Sequence, residues 1–106
     1  MTMQTRILGR SGVTVSRLCL GAMMFGGPTD ATTSERIIAT AREAGFNFLD
    51  TADVYSRGAS EEVVGAALAG SRNHWVLATK LGNPMGPGAN EKGLSRGWMN
   101  RAVEAA

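Results

Sequence analysis

Apolar residues along this chain fall into two kinds of stretch: short runs of three to five positions, and longer segments where they return every third or fourth residue. Short runs at residues 5–8 and 13–15 flank Gly9-Arg10-Ser11-Gly12, a glycine-rich connection that predicts a β-hairpin. Residues 17–21 enclose Leu18, Cys19 and Leu20, which predicts a strand buried on both faces with Cys19 as packing. Glycine and proline then break regular structure as far as Pro28. Thr32 followed by Glu35 has the spacing of a capping box, in which hydroxyl and carboxylate each satisfy a free backbone N–H. Ile37, Ile38, Ala41 and Ala44 continue as one apolar stripe, and Gly45 supplies the stop. Residues 46–50 predict a further strand. A second helix is expected from Ser60, with Glu61 and Glu62 at the positive end of its dipole and Val63, Val64, Ala67 and Leu68 facing inward. Residues 75–79 predict a third strand in this series, residues 81–94 a long loop, and Ser95 the cap of a third helix bearing Trp98, Met99, Ala102 and Val103.

Strand and helix in alternation imply a parallel sheet with helical crossovers, an α/β fold. About three such units leave a strand unpaired at the edge, and a closed barrel of eight takes ~250 residues. The last helix has neither glycine nor a basic turn at its end, so the chain is expected to be the N-terminal part of a larger fold, residues 1–106 forming one partial domain.

Composition narrows the function. The net charge is +2 with arginines scattered rather than clustered, so no nucleic-acid face is predicted. A single cysteine excludes an internal disulfide and suits a reducing, cytoplasmic setting. No apolar run reaches the ~20 residues of a membrane helix, and residues 1–10 lack the apolar core of a secretory signal. One histidine and one cysteine make no metal cluster. Gly86-Pro-Gly88 and the Gly65 to Gly70 stretch fit neither a Walker loop nor a dinucleotide fingerprint.

In parallel β/α architectures the chemistry collects where strands end. That rule selects Gly21, Ala22 and Met23 after one strand, Asp50 and Tyr55 after the next, and Lys80 after the third. Phe46, Phe48 and Asp50 share one strand face; Val76, Ala78 and Lys80 share another. A carboxylate, a phenol and an amine on one rim make a proton-transfer set. A phenol ordinarily titrates near 10, an adjacent ammonium favours its anion, and a carboxylate keeps the ammonium charged. Each residue has a plainer reading: Asp50 as a turn-former, Tyr55 as a loop anchor, Lys80 as a surface charge. Asp53 reads as a turn residue and His74 as an exposed loop residue beside Arg72. Met23 and Met24 either line a pocket or fill the mouth of a barrel.

Four segments together resemble the aldo/keto reductase superfamily: Leu8-Gly-Arg-Ser-Gly-Val-Thr-Val-Ser-Arg-Leu18, Gly45-Phe-Asn-Phe-Leu-Asp-Thr-Ala-Asp-Val-Tyr55, Gly58-Ala-Ser-Glu-Glu62 and Ala78-Thr-Lys-Leu-Gly82. The segment from Gly93 to Ala106 resembles the third helix of its longer-loop branch, which includes bacterial reductases and potassium-channel β subunits. The resemblance implies a (β/α)8 TIM barrel whose base is closed by the hairpin, reducing a small carbonyl substrate with NADPH. It implies catalytic roles for Asp50, Tyr55 and Lys80, with Tyr55 the general acid, and a fourth member, a histidine, beyond Ala106. His74, before its strand, is not that residue. Gly21, Ala22, Met23 and Asp50 match positions near the nicotinamide and its ribose, with Ala22 where threonine is usual. A cofactor-binding regulatory subunit on the same fold is the alternative function.

Overall fold

The structure, a computed structural model, describes residues 2–106. The predicted hairpin is present: β1 (Thr5–Ile7) pairs antiparallel with β2 (Thr14–Ser16), Thr5 opposite Ser16. The remaining order is β3 (Leu20–Gly21), α1 (Ala31–Glu43), β4 (Phe48–Asp50), a 3-10 turn at Tyr55–Gly58, α2 (Ala59–Leu68), a second 3-10 turn at Arg72–His74, β5 (Val76–Ala78) and α3 (Arg96–Ala105). Strands β3, β4 and β5 lie side by side in that order, all parallel. This is the hairpin and successive β/α units of a TIM-type barrel, forming an open arc rather than a closed cylinder.

Register places Leu20, Leu49 and Leu77 in one row across the sheet. Leu49, at the centre, has no solvent exposure and packs in a cluster with Ile38 and Ala41 of α1, Val64 and Leu68 of α2, and Trp75. The helices therefore cover this face of the sheet. The hairpin is tied to the opposite end of β4 from Asp50: the Ser16 N–H donates to Asn47 Oδ1 (2.6 Å), and Asn47 Nδ2 donates to the Thr14 carbonyl (3.0 Å).

Four expectations are corrected. The cap of α1 is Asp30, whose Oδ1 accepts the Thr33 N–H at 2.7 Å, not Thr32 with Glu35. The stripe of α1 is also narrower than expected, with Ser34, Ile38 and Ala41 buried and Ile37 exposed. Ser60 lies one residue inside α2 and is fully buried; the cap position is Gly58 at φ 94°, a conformation glycine adopts without penalty. Finally, Leu18 and Cys19 are exposed, because the strand shortens to Leu20–Gly21 and β3 is an edge with one partner. On α3, Ala102 is buried while Met99 and Val103 face outward.

The Thr33 N–H holds the Asp30 carboxyl below the ordinary carboxylate range. A depressed folded value means stability present above about pH 4 and lost as pH falls through the lowered value. Asp30→Ala is therefore expected to lower the thermal midpoint at neutral pH. Asp30→Asn, which still caps, is expected to remove part of the acid limb. Melts followed by circular dichroism from pH 7 to 3 check this; an Asn variant with the parent's full acid sensitivity contradicts it.

Candidate active site

Asp50 ends β4 and stands opposite Ala78, the end of β5. Side chains alternate along an extended chain, so Lys80, two residues past Ala78, returns to the face that carries Asp50. The Lys80 ammonium donates to both Asp50 oxygens, at 2.9 and 2.8 Å, and to the Thr51 carbonyl at 2.7 Å. Its three protons are thereby all placed. Both side chains remain substantially open to solvent, 49% for Lys80 and 39% for Asp50.

Partial desolvation alone lowers the lysine's proton affinity, but the hydrogen bonds to Asp50, its charge and the adjacent Tyr55 outweigh it. The ammonium is held above the usual lysine value. It stays charged throughout the neutral range. The Tyr55 ring lies beneath the same group, its centroid 5.0 Å from Lys80 Nζ. The three side chains singled out from the sequence thus meet at one rim.

Backbone and buried hydroxyls fix this arrangement. The Thr51 N–H donates to the Ala78 carbonyl (2.9 Å) and the Asp53 N–H to the Lys80 carbonyl (3.1 Å), extending the β4–β5 pairing past both strand ends. Ser60 Oγ donates to the Ala22 carbonyl at 2.8 Å and lies 2.7 Å from Thr51 Oγ1. Since the serine proton is used, the Thr51 hydroxyl is the donor in that second contact. Thr51 and Ser60 are both essentially unexposed. Sequence reasoning did not single them out as site residues. A signal for Ser60 existed: it occupies the same helical face as Val64 and Leu68, four and eight residues on, so a hydroxyl on that face needs a buried partner.

Of the residues expected near a cofactor, Gly21 and Met23 are exposed at the strand end, whereas Ala22 is fully buried. Both Ala22 backbone groups are engaged, the N–H with the Asp50 carbonyl at 2.9 Å and the carbonyl with Ser60. Met23 and Met24 both project from the loop after β3, half exposed. His74 is at the other end of the sheet, with Nε2 2.9 Å from the Phe46 carbonyl. Asp53 is in the predicted turn yet buried. Among the described residues no group of metal-ligating side chains comes together, and no helix is long and apolar enough to cross a membrane.

The turn that carries Tyr55 is strained. Ser56 and Arg57 follow it with φ of 49° and 54°, left-handed values that cost a residue with a Cβ roughly 1–2 kcal/mol. Arg57 is exposed. Arg57→Gly is accordingly expected to raise stability by about 1 kcal/mol in urea unfolding. A loss of stability contradicts the left-handed geometry.

The same arrangement of segments recurs in known proteins. A sequence model of the Aldo/keto reductase family matches residues 17–106. A probable voltage-gated potassium channel subunit beta from Arabidopsis thaliana is 43% identical over 98% of this chain and 33% of its own length. The uncharacterized oxidoreductase YqkF from Bacillus subtilis is 42% identical over 91% of this chain and 29% of its own. The solved aldo-keto reductase AKR11C1 from Bacillus halodurans, in its holo form, superposes with a TM-score of 0.85 at 41% identity, over 97% of this chain and 35% of that one. The chain spans about a third of the length of these relatives. Matched along nearly all of its sequence and along its hairpin and β/α units, the chain belongs to the aldo/keto reductase family.

Proposed function

We propose that residues 1–106 form part of an NADPH-dependent aldo/keto reductase domain and supply the proton-transfer side of its site. The observation that carries this reading is the Lys80 ammonium held by Asp50 and Thr51 against the Tyr55 ring. Tyr55 donates its hydroxyl proton to the carbonyl oxygen of the substrate. Lys80 stabilises the phenolate left behind, and Asp50 keeps Lys80 aimed and charged. A histidine from elsewhere in the barrel, implied by the family resemblance, would complete the set.

The open backbone at Gly21 supports a nicotinamide at this rim. Gly21 is exposed, and a Cβ there would meet nothing within 4 Å. Gly21, Met23 and Asp50 would line it, with Ala22 shaping the turn from behind, and NADPH would supply the hydride. A reducing, cytoplasmic setting fits the single cysteine.

The test is a graft. This chain replaces the corresponding segment of the Bacillus halodurans reductase, and NADPH absorbance is followed with an aromatic aldehyde. The grafted barrel is expected to turn over; a folded graft that consumes no NADPH overturns the proposal. The 106-residue chain by itself should give none, because its rim pair lies open to solvent. The potassium-channel subunit among the relatives favours the second reading, a regulatory cofactor-binding subunit. Negligible turnover together with tight NADPH binding by the graft would select it.

A further inference from the structure

Three segments of the rim come together at the first turn of α2. The Ala59 N–H donates to the Tyr55 and Ser56 carbonyls, which ties the turn bearing the phenol to the start of the helix. Gly26, in the loop after β3, lies so near Ala59 that a Cβ there would stand 2.9 Å from the Ala59 carbonyl carbon and oxygen. Bare backbone at φ 82°, open to glycine without penalty, permits that approach. Ser60, the next residue along the helix, then joins two strand ends through its side chain. Its Oγ donates to the Ala22 carbonyl, after β3, and accepts from Thr51 Oγ1, after β4.

Each partner of Ser60 has a second task at the rim. The Ala22 N–H donates to the Asp50 carbonyl at 2.9 Å, and the Thr51 carbonyl accepts from Lys80 Nζ at 2.7 Å. The Ala22 carbonyl also takes the Phe25 N–H at 3.1 Å, so with Ser60 both of its lone pairs are used. Thr51 and Ser60 are shut off from solvent, which therefore supplies no substitute partner. A buried threonine hydroxyl deprived of its acceptor must turn or move. The residue that moves is the one whose carbonyl seats the Lys80 ammonium.

We propose that Ser60 is a positioning residue for the proton-transfer set. By holding the Thr51 hydroxyl it fixes the Thr51 carbonyl against Lys80, and by holding the Ala22 carbonyl it fixes the loop after β3 in the same frame. A buried side chain of the helix layer thereby sets where the ammonium stands relative to the phenol, although it bonds to neither. The group at this position accepts and donates at once, which a hydroxyl does and a methyl does not. Its bearing on turnover rests on the reductase reading; its bearing on the Tyr55–Lys80 contact does not.

The test reads that contact directly in the 106-residue chain. Tyr55 is its single tyrosine, and Lys80 shares the chain with one other lysine, Lys92, so the nuclear Overhauser effect between the Tyr55 ring and the Lys80 ε-methylene is assigned without overlap. Thr51→Val keeps the shape of the side chain and removes its hydroxyl; Thr51→Ser keeps the hydroxyl and removes a buried methyl. The effect is expected to weaken severalfold in Thr51→Val and in Ser60→Ala, and to persist in Thr51→Ser. Packing alone gives the reverse order for the Thr51 pair, and that order overturns the proposal. So does a folded Ser60→Ala chain with the parent's effect; the Thr51 pair decides if Ser60→Ala fails to fold. In the grafted barrel Ser60→Ala should lower kcat by about ten- to a hundredfold with KM for the aldehyde little changed, since a displacement of ~1 Å costs on the order of 10²-fold. Full kcat in that variant overturns the proposal. A parent graft without turnover counts against the reductase reading instead, and the Overhauser comparison then decides for or against Ser60.

Discussion

Tyr55→Phe in the grafted barrel is expected to cut carbonyl reduction by about 10²–10⁴-fold, the range a positioned general acid contributes. The substitution removes one oxygen and leaves the ring, whose packing beside Lys80 depends on the π face rather than the hydroxyl. Folding and NADPH binding should therefore be retained, and the loss should fall on turnover. Nucleotide fluorescence separates the two. Unchanged turnover with intact binding would remove Tyr55 from the proton path and leave the Lys80–Asp50 pair as a structural clamp.

The second large effect is on stability. Leu49→Ala deletes a fully buried side chain at the middle of the Leu20–Leu49–Leu77 row, where both sheet neighbours and both helices close around it. Such truncations cost 2–5 kcal/mol, approximately, against a total of roughly 5–15 kcal/mol for a domain. Urea unfolding of Leu49→Ala should show a loss in that range. Ile7→Ala, at a position 61% exposed in the hairpin, should change stability by no more than about 0.5 kcal/mol. Equal losses at the two positions would contradict the packing described.

Much of this was legible in the chain because parity is legible. In strands at residues 46–50 and 75–79, alternation puts Asp50 on the face of Phe48 and Lys80 on the face of Val76 and Ala78, and the register, with Asp50 opposite Ala78, joins those two faces. Helix caps were less so. The run from Thr29 to Ser34 offers five residues able to cap, and the choice fell to Asp30 because its carboxylate reaches the Thr33 N–H. Propensity ranks such candidates nearly equal; only the path of the chain out of the preceding loop separates them. Ser60 meets the same cap criteria, whereas tertiary contact with Thr51 and Ala22 turns it inward. Cys19 lies exposed although its run is apolar, because an apolar run says nothing of how many neighbours a strand has.

The three acceptors of Lys80 all come from Asp50 and Thr51, at the end of the strand paired directly with its own. Among the described residues, every acceptor of the ammonium lies within residues 50–80. During synthesis the clamp can consequently close once that short stretch has left the ribosome, and whatever joins the sheet later meets a charge pattern already set.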